Sequence, residues 1–164
     1  VLKIPVIGPG RHAMLLAQML GEKFSILVMW DRWKPLYAKT LGELGMREKC
    51  ASIRSIGVQP DNKTLLAGKE DDVFPRLLAV ARKCIEEDGA EVIILGSTTM
   101  HEAHGYLAAR LDAPVINPGP LSYRLAEMAL KLKLTHSKTT YPTPLAPKHE
   151  MIRAIGAAAA AEGV

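Results

Sequence analysis

Short apolar runs alternate with helical patterns through the first half of the chain. A continuous run such as 24–30 is typical of a strand that is covered on both faces of a sheet. The apolar positions after Gly8-Pro9-Gly10 and over Pro35–Leu44 instead follow a helical pattern, and Gly45 is a plausible helix stop. The predicted strands of this half are Leu2–Ile7, Phe24–Trp30 and Ser52–Ile56.

The second half continues the same alternation. Its longest predicted helix is Glu70–Asp88, in which Pro75 fits only the first turn and after which Gly89 ends the helix. Strands alternating with helices favour an α/β fold with a mostly parallel sheet that is flanked by helices. The remaining predicted elements are the strand Val92–Leu95, the helix His101–Leu111, the strand Pro114–Ile116 and the helix Ser122–Leu134.

The last segment has a different composition. Residues 141–147 contain three prolines and predict a stiff, extended stretch on a surface, and Met151–Glu162 has the alanine content of a short helix. We therefore expect an α/β domain over residues 1–138 and a Pro-rich tail with a C-terminal helix over residues 139–164.

Composition narrows the classes of function. With 164 residues, 48% hydrophobic and 23% charged, the chain is typical of one globular domain, and its apolar runs are too short to cross a bilayer. Cys50 and Cys84 are the only cysteines, which favours a reducing, cytoplasmic location. The net charge of +4 comes from basic residues interspersed with acidic ones, so we expect a small anionic ligand and no nucleic-acid or membrane partner.

Three turns rich in small residues follow predicted strands. In an open parallel sheet, ligands bind at the carboxyl ends of the strands, where loops open a crevice. We therefore expect the turns to line one pocket. They are Gly8-Pro9-Gly10, Gly96-Ser97-Thr98-Thr99 and Asn117-Pro118-Gly119-Pro120.

The middle turn carries the most chemistry. Gly96 allows a sharp turn, and three successive hydroxyls and N–H groups follow it at a helix start, which suits a carboxylate-like group. Serine and threonine are also ordinary N-cap residues, so Ser97, Thr98 or Thr99 would alternatively serve only as a cap. The spacing leaves both interpretations open.

Other reactive side chains give weaker signals. His101 and His104 share a helical face, but no third metal ligand is evident, so no metal is expected. Cys50 follows two basic residues, which would lower its thiol pKa. Tyr37 is expected to pack in the core or at its rim, whereas Tyr123 lies on the helix that follows Asn117-Pro118.

Several blocks of sequence, in this order and spacing, resemble the aspartate/glutamate and hydantoin racemase superfamily, with the greatest similarity to its hydantoin-racemase branch. The resemblance covers roughly residues 1–138, and the Pro-rich tail lies outside it. The blocks are Lys3–Gly8, Ala17–Leu20, Phe24–Ile26, Cys50–Arg54, Glu86–Met100, Ala113–Pro118 and Leu125–Glu127.

The resemblance implies a cofactor-independent enzyme of two α/β lobes with a pocket between them. Family racemases use one cysteine from each lobe to remove and return a proton next to a carbonyl. The position of the second cysteine is Ser97 in this chain, and the first would lie upstream of Val1. The chain would then contain one lobe and part of the second.

From this resemblance we expect a racemase or isomerase, working as a homo-oligomer, that transfers a proton next to a carbonyl of a small carboxylate or hydantoin-type substrate. One alternative is a one-thiol relative of the decarboxylase or maleate-isomerase kind. Another is a non-catalytic protein of small-ligand binding or maturation that retains the pocket. Ser97 is the candidate catalytic residue, and the candidate substrate-binding residues are Gly8, Pro9, Gly96, Thr98, Thr99, Asn117 and Pro118.

Overall fold

The computed structural model describes residues 4–59 and 70–161, and only the backbone of Glu70. The strands within these ranges are β1 (Phe24–Val28), β2 (Cys50–Ser55), β3 (Val92–Leu95) and β4 (Val115–Ile116). The α-helices are α1 (Pro9–Leu20), α2 (Lys34–Leu44), α3 (Glu70–Glu86), α4 (Ala103–Ala108), α5 (Pro118–Lys131) and α6 (His149–Ala161).

The four strands form one parallel sheet in the order β2-β1-β3-β4. Ile26 in β1 pairs with Ile53 on one side and with Ile94 on the other, and Ile94 pairs with Ile116. All five residues of β1 and all four of β3 are buried, because these strands lie inside the sheet and helices cover both faces. This arrangement confirms the predicted α/β fold.

Alternate side chains of the inner strands enter two separate cores, as the twofold period of a strand requires. Ile26 and Ile94 contribute to a core with the buried residues of α1. Leu27 and Leu95 contribute to a core on the other face, with the buried residues of α3 and α4. The carboxyl ends of β1 and β3 are therefore held in register between two packed layers.

Several predicted helix boundaries are confirmed, and one detail is wrong. Gly45 ends α2 with φ of 66°, and Gly89 follows α3 with φ of 73°, a conformation that glycine adopts without steric cost. Pro75 was expected in the first turn of its helix, but α3 begins at Glu70 and Pro75 lies inside it. Since proline has no N–H, α3 is one backbone hydrogen bond short there.

The first predicted strand is wrong over the residues that are described. Leu2 and Lys3 lie outside them, and residues 4–7 adopt no strand. The Val6 N–H donates to Nε2 of His136 at 2.7 Å, so a side chain takes the hydrogen bond that a neighbouring strand would otherwise make. An apolar run predicts a strand only where a partner strand is available.

Residues 7–127 form one compact unit, and residues 4–6 with 128–161 belong to a second. In the second unit, the His136 and Tyr141 rings meet edge-on at 5.1 Å between centroids. Residues 137–150 are exposed, as expected for the Pro-rich stretch, and α6 ends the described chain. The predicted division between residues 138 and 139 remains a prediction. No helix of the described ranges has the length and apolar character that a membrane crossing requires.

Candidate active site

A cavity of about 300 Å³ opens at the carboxyl ends of β1 and β3. Each of the three turns rich in small residues contributes to its wall. The second and third follow β3 and β4 at the carboxyl end of the parallel sheet, whereas Pro9 and Gly10 of the first begin α1. The residues that line the cavity are Pro9, Gly10, Met14, Ile26, Tyr37, Ile94, Leu95, Gly96, Ser97, Thr98 and Pro118.

Gly96 occupies the most crowded position of the wall. A Cβ at this residue would lie 2.6 Å from Cγ1 of Val28 and 2.8 Å from the Leu27 carbonyl oxygen. The Gly96 N–H also donates to that carbonyl at 2.8 Å, which continues the hydrogen bonding of β3 with β1. Glycine is therefore required here because two strands approach closely, and this close approach places Ser97 at the cavity.

The capping interpretation of the middle turn is confirmed for one of its hydroxyls. Ser97 caps a 3₁₀ turn over Thr98–Met100, and its Oγ accepts a hydrogen bond from the Thr99 N–H at 3.2 Å. Ser97 Oγ and Thr99 Oγ1 are 2.7 Å apart. The Ser97 side chain is therefore held in one orientation by its neighbour.

Three other donors of the turn remain open. Within the ranges that the structure describes, the N–H groups of Ser97 and Thr98 and the Thr98 hydroxyl have no hydrogen-bond partner. Both residues line the cavity. Ser97 is half-buried and Thr98 is exposed, so water reaches these donors in the free protein, and an oxygen acceptor in the cavity can take the place of that water.

Not every predicted binding residue lines this cavity. Pro9, Gly96, Thr98 and Pro118 do, together with Ser97. The others, Gly8, Thr99 and Asn117, do not.

The residues outside the wall have structural partners. The Gly8 carbonyl accepts a hydrogen bond from the His12 N–H at 3.2 Å and lies 2.8 Å from its Nδ1. Asn117 accepts from the Gly119 N–H at 3.3 Å and donates to the His101 carbonyl at 3.3 Å. Asn117 thus supports the turn before α5, and its role toward a ligand remains a prediction.

Tyr37 is the residue of the wall that sequence reasoning missed. It lies on α2, and its hydroxyl would be 3.3 Å from a Cβ on Gly96. Burial raises the pKa of Tyr37 to about 12. The sequence indicated only that Tyr37 lies shortly after β1. Its spacing from β1 does not determine how α2 packs against the sheet, and therefore does not determine whether Tyr37 lines the cavity.

The cysteines and histidines lie apart from the wall. Burial raises the pKa of Cys50 to about 11, so the expectation that basic neighbours lower it is wrong. Cys84 is fully buried, and burial raises its pKa as well. His104 Nε2 lies 3.1 Å from the Val115 carbonyl oxygen, and no group of three metal-ligating side chains occurs among the described residues.

A second, wider hollow of about 600 Å³ adjoins the cavity and shares Thr98 with it. Tyr123 lines this hollow and is 80% exposed, so it lies outside the enclosed part of the site. Gly119 and His101 also contribute to the hollow. Thr98 thus stands at the boundary between the enclosed cavity and the open surface.

Comparison with known proteins assigns the chain to a protein family. The model of the Asp/Glu/Hydantoin racemase family matches residues 1–126. A hydantoin racemase of Pseudomonas sp. (strain NS671) is 31% identical over 143 residues, which are 85% of this chain and 55% of that racemase. A hydantoin racemase of Paenarthrobacter aurescens is also 31% identical and is covered over 58% of its length.

A solved structure agrees with the sequence relatives. The crystal structure of allantoin racemase from Pseudomonas fluorescens superposes with a TM-score of 0.82 and 30% identity, over 90% of this chain and 62% of that one. The chain thus spans somewhat more than half the length of the relatives that it matches. Together with the family match over most of the chain, these comparisons show that it belongs to the Asp/Glu/hydantoin racemase family.

Proposed function

We propose that the protein racemises a small hydantoin-type substrate by transferring a proton at the carbon next to a ring carbonyl. The observation that carries the proposal is the cluster of open donors on Ser97 and Thr98 in the wall of the cavity. The family and the names of the relatives, hydantoin and allantoin racemases, support the substrate class.

The size of the cavity agrees with a small ring. Its volume of about 300 Å³ is at the lower end of the range for ligand pockets, which is about 300–1,000 Å³. Met14, Ile26 and Ile94 lie at the apolar base of the cavity, where each is at most 2% exposed. The donors of Ser97 and Thr98 then orient a carbonyl oxygen of that ring.

The chemistry follows from this orientation. When a base removes the proton next to the carbonyl, the electron pair of the C–H bond moves into the ring and the carbonyl oxygen becomes an enolate. Donors that already point at this oxygen stabilise the developing charge without reorganisation. Because the enolate is planar at the former stereocentre, return of a proton to the opposite face inverts the configuration, and the base and acid are restored.

The wall itself supplies no obvious base. Among the described residues that line the cavity, Tyr37 is the one ionisable side chain, and its raised pKa keeps it protonated. The proposal therefore places the base on the other side of the substrate, where the resemblance assigns a cysteine upstream of Val1. Ser97 has the oxygen-holding role in this scheme. The cytoplasmic location, the homo-oligomer and the independence of a cofactor belong to the same proposal.

The test is proton exchange by the full-length protein. One enantiomer of a 5-substituted hydantoin, of allantoin, of aspartate or of glutamate is incubated in D₂O, and loss of optical rotation is followed together with deuterium at the stereocentre by NMR. We expect exchange with the hydantoin-type substrates. Exchange only with the amino acids would contradict the substrate class, and the absence of exchange with all four would contradict the racemase.

The absence of a base in the wall favours one second candidate, a protein that binds the ligand without turnover. A thermal-shift titration with the same four compounds separates the two functions. Stabilisation without exchange supports the binding protein. Exchange by the wild type excludes it. Exchange that is reduced in Ser97→Ala, which loses the hydroxyl that caps the turn, and retained in Ser55→Ala would assign the turnover to this turn, because Ser55 bonds to the Met29 carbonyl outside the cavity.

A further inference from the structure

Tyr37 lies between two of the turns that form the cavity. A Cβ on Gly10 would lie 3.9 Å from Cε1 of the Tyr37 ring, and a Cβ on Gly96 would lie 3.3 Å from its hydroxyl oxygen. The absence of side chains at these two glycines leaves room for the phenol. The ring packs against the core that contains Met14, and it lines the cavity.

The hydroxyl at the end of this ring has no hydrogen-bond partner within the described part of the chain. The hydroxyl oxygen retains some access to solvent, since no inaccessible side-chain oxygen or nitrogen without a partner occurs among the described residues. Removing a hydroxyl from water without a compensating hydrogen bond is costly. Because the Tyr37 hydroxyl is open to solvent, water satisfies it in the free protein, and a ligand that fills the cavity must offer an acceptor in place of that water.

Its protonation state determines what the phenol offers. Because burial raises the pKa of Tyr37 to about 12, the hydroxyl keeps its proton under physiological conditions. A neutral phenol donates a hydrogen bond but is a poor base. Tyr37 differs in this respect from Ser97, whose oxygen already accepts the Thr99 N–H.

We propose that Tyr37 is a catalytic hydrogen-bond donor, whose hydroxyl binds the same substrate oxygen as the open donors of Ser97 and Thr98. The inference rests on the proposed function and adds a residue that neither the sequence pattern nor the resemblance indicated. The three residues line one cavity, and the phenol reaches it from α2, beside Gly96. A ring carbonyl held there receives donors from two elements of the fold.

The expected effect is larger on turnover than on binding. Hydrogen bonds to a charged oxygen are stronger than those to a neutral carbonyl, so the phenol stabilises the enolate more than the bound substrate. Only such a difference accelerates the chemical step. Tyr37→Phe removes the hydroxyl and keeps the ring, and should lower kcat of racemisation at least about tenfold while KM changes less.

Tyr106→Phe is the matched control. Tyr106 is also partly buried, but it belongs to the core on the other face, with its ring 5.6 Å from that of Phe74 and with Arg110 over it at 3.9 Å. It does not line the cavity. We expect wild-type kcat and KM for this variant, and thermal unfolding of both variants reports any loss that is only structural.

Binding is measured separately, so that the inference and the proposed function can fail independently. Hydantoin is titrated into the full-length wild type and both variants by calorimetry, and the tyrosine difference absorption is recorded. The inference predicts a Kd about 3-fold to 10-fold weaker in Tyr37→Phe, and a tyrosine difference signal that this variant alone loses.

The outcomes are distinct. If the wild type binds hydantoin without exchange and Tyr37→Phe binds it more weakly, Tyr37 is a donor to the bound ligand, and the catalytic part of the inference fails together with the racemase function. If Tyr37→Phe racemises with wild-type kcat, the inference fails and the function stands. Failure of the wild type to bind, unchanged binding in Tyr37→Phe, or equal losses in both variants would also overturn the inference.

Discussion

Two polar clusters border the same parallel sheet, and they differ in whether their polar groups have hydrogen-bond partners within the protein. The cluster beside the edge strand β2 satisfies itself: the Arg54 guanidinium donates to both carboxylate oxygens of Asp88, at 2.6 and 2.7 Å, and to Glu87 at 2.7 Å. We call these three residues the Arg54 cluster. The Ser25 and Ser52 hydroxyls, 2.8 Å apart on neighbouring strands, also pair with each other.

The cluster at the carboxyl end of β3 is incomplete by comparison. The Ser97 hydroxyl is engaged by Thr99, but within the described ranges the N–H groups of Ser97 and Thr98 and the hydroxyls of Thr98 and Tyr37 have no partner. These open groups lie around a cavity, whereas the Arg54 cluster does not contribute to the wall of that cavity.

The difference indicates how polar groups divide between stability and function. A cluster whose donors and acceptors match is complete in the folded chain, so changes in it should alter stability and leave ligand binding unchanged. A cluster with open donors and a cavity is completed by a ligand, so changes in it should alter binding or turnover.

The largest expected effect is that of Gly96→Ala. Its Cβ would meet Val28 Cγ1 and the Leu27 carbonyl, so strands β1 and β3 would have to separate. We expect a loss of about 1–3 kcal/mol in the free energy of unfolding, measured in urea, together with loss of hydantoin binding.

Gly105→Ala is the control for this prediction. Nothing lies within 4 Å of a Cβ at Gly105, and alanine in the interior of α4 should stabilise the protein by about 0.5–1 kcal/mol. Wild-type stability and binding in Gly96→Ala would contradict the steric account of the turn.

A smaller effect, confined to stability, is expected for Asp88→Asn. The hydrogen bonds from Arg54 hold the pKa of Asp88 below its usual value of 3.8. A carboxyl whose pKa is lower in the folded state stabilises the protein at pH values above its unfolded pKa, and this contribution is lost as the pH falls through the folded pKa. The urea midpoint of Asp88→Asn should therefore lie below that of the wild type near neutral pH, and the gap should shrink in acid.

Asp72→Asn provides the comparison, because Asp72 pairs with Arg76 at 2.9 Å on an exposed face of α3. This pair should contribute little at any pH. If the difference in urea midpoint between the wild type and Asp88→Asn stayed constant between neutral and acidic pH, the ion pair with Arg54 would not be the cause of that difference. Weaker hydantoin binding in Asp88→Asn would break the proposed division between the two clusters.

The sequence pattern predicted most of the sheet because its strands carry strong local signals. The buried strands β1 and β3 are continuous apolar runs, and Gly45 and Gly89 mark helix ends with the left-handed conformation that glycine tolerates. The predicted α5 starts later than the observed helix, which begins at Pro118, a favoured first residue of a helix.

The site was predictable only in part. Five of the eight candidate residues line the cavity. The meeting of the turns after β3 and β4 follows from parallel strands, but the Gly8-Pro9-Gly10 turn reaches the cavity without the strand that was predicted before it. Whether a polar group faces a ligand or a neighbour depends on side-chain geometry, which spacing does not encode. Asn117 therefore binds backbone beside the site, and Tyr37 joins the wall because of how α2 packs across the sheet.

The most direct test of the open donors is a titration of the ¹⁵N-labelled full-length protein with hydantoin, followed by the chemical shifts of the backbone amides. The account predicts that the Ser97 and Thr98 amides shift most, in the direction of a newly formed hydrogen bond, while those of Arg54 and Asp88 stay in place. The account would be contradicted if, at saturating hydantoin, the amides of the Arg54 cluster shifted as much as those of Ser97 and Thr98, or if neither set of amides shifted.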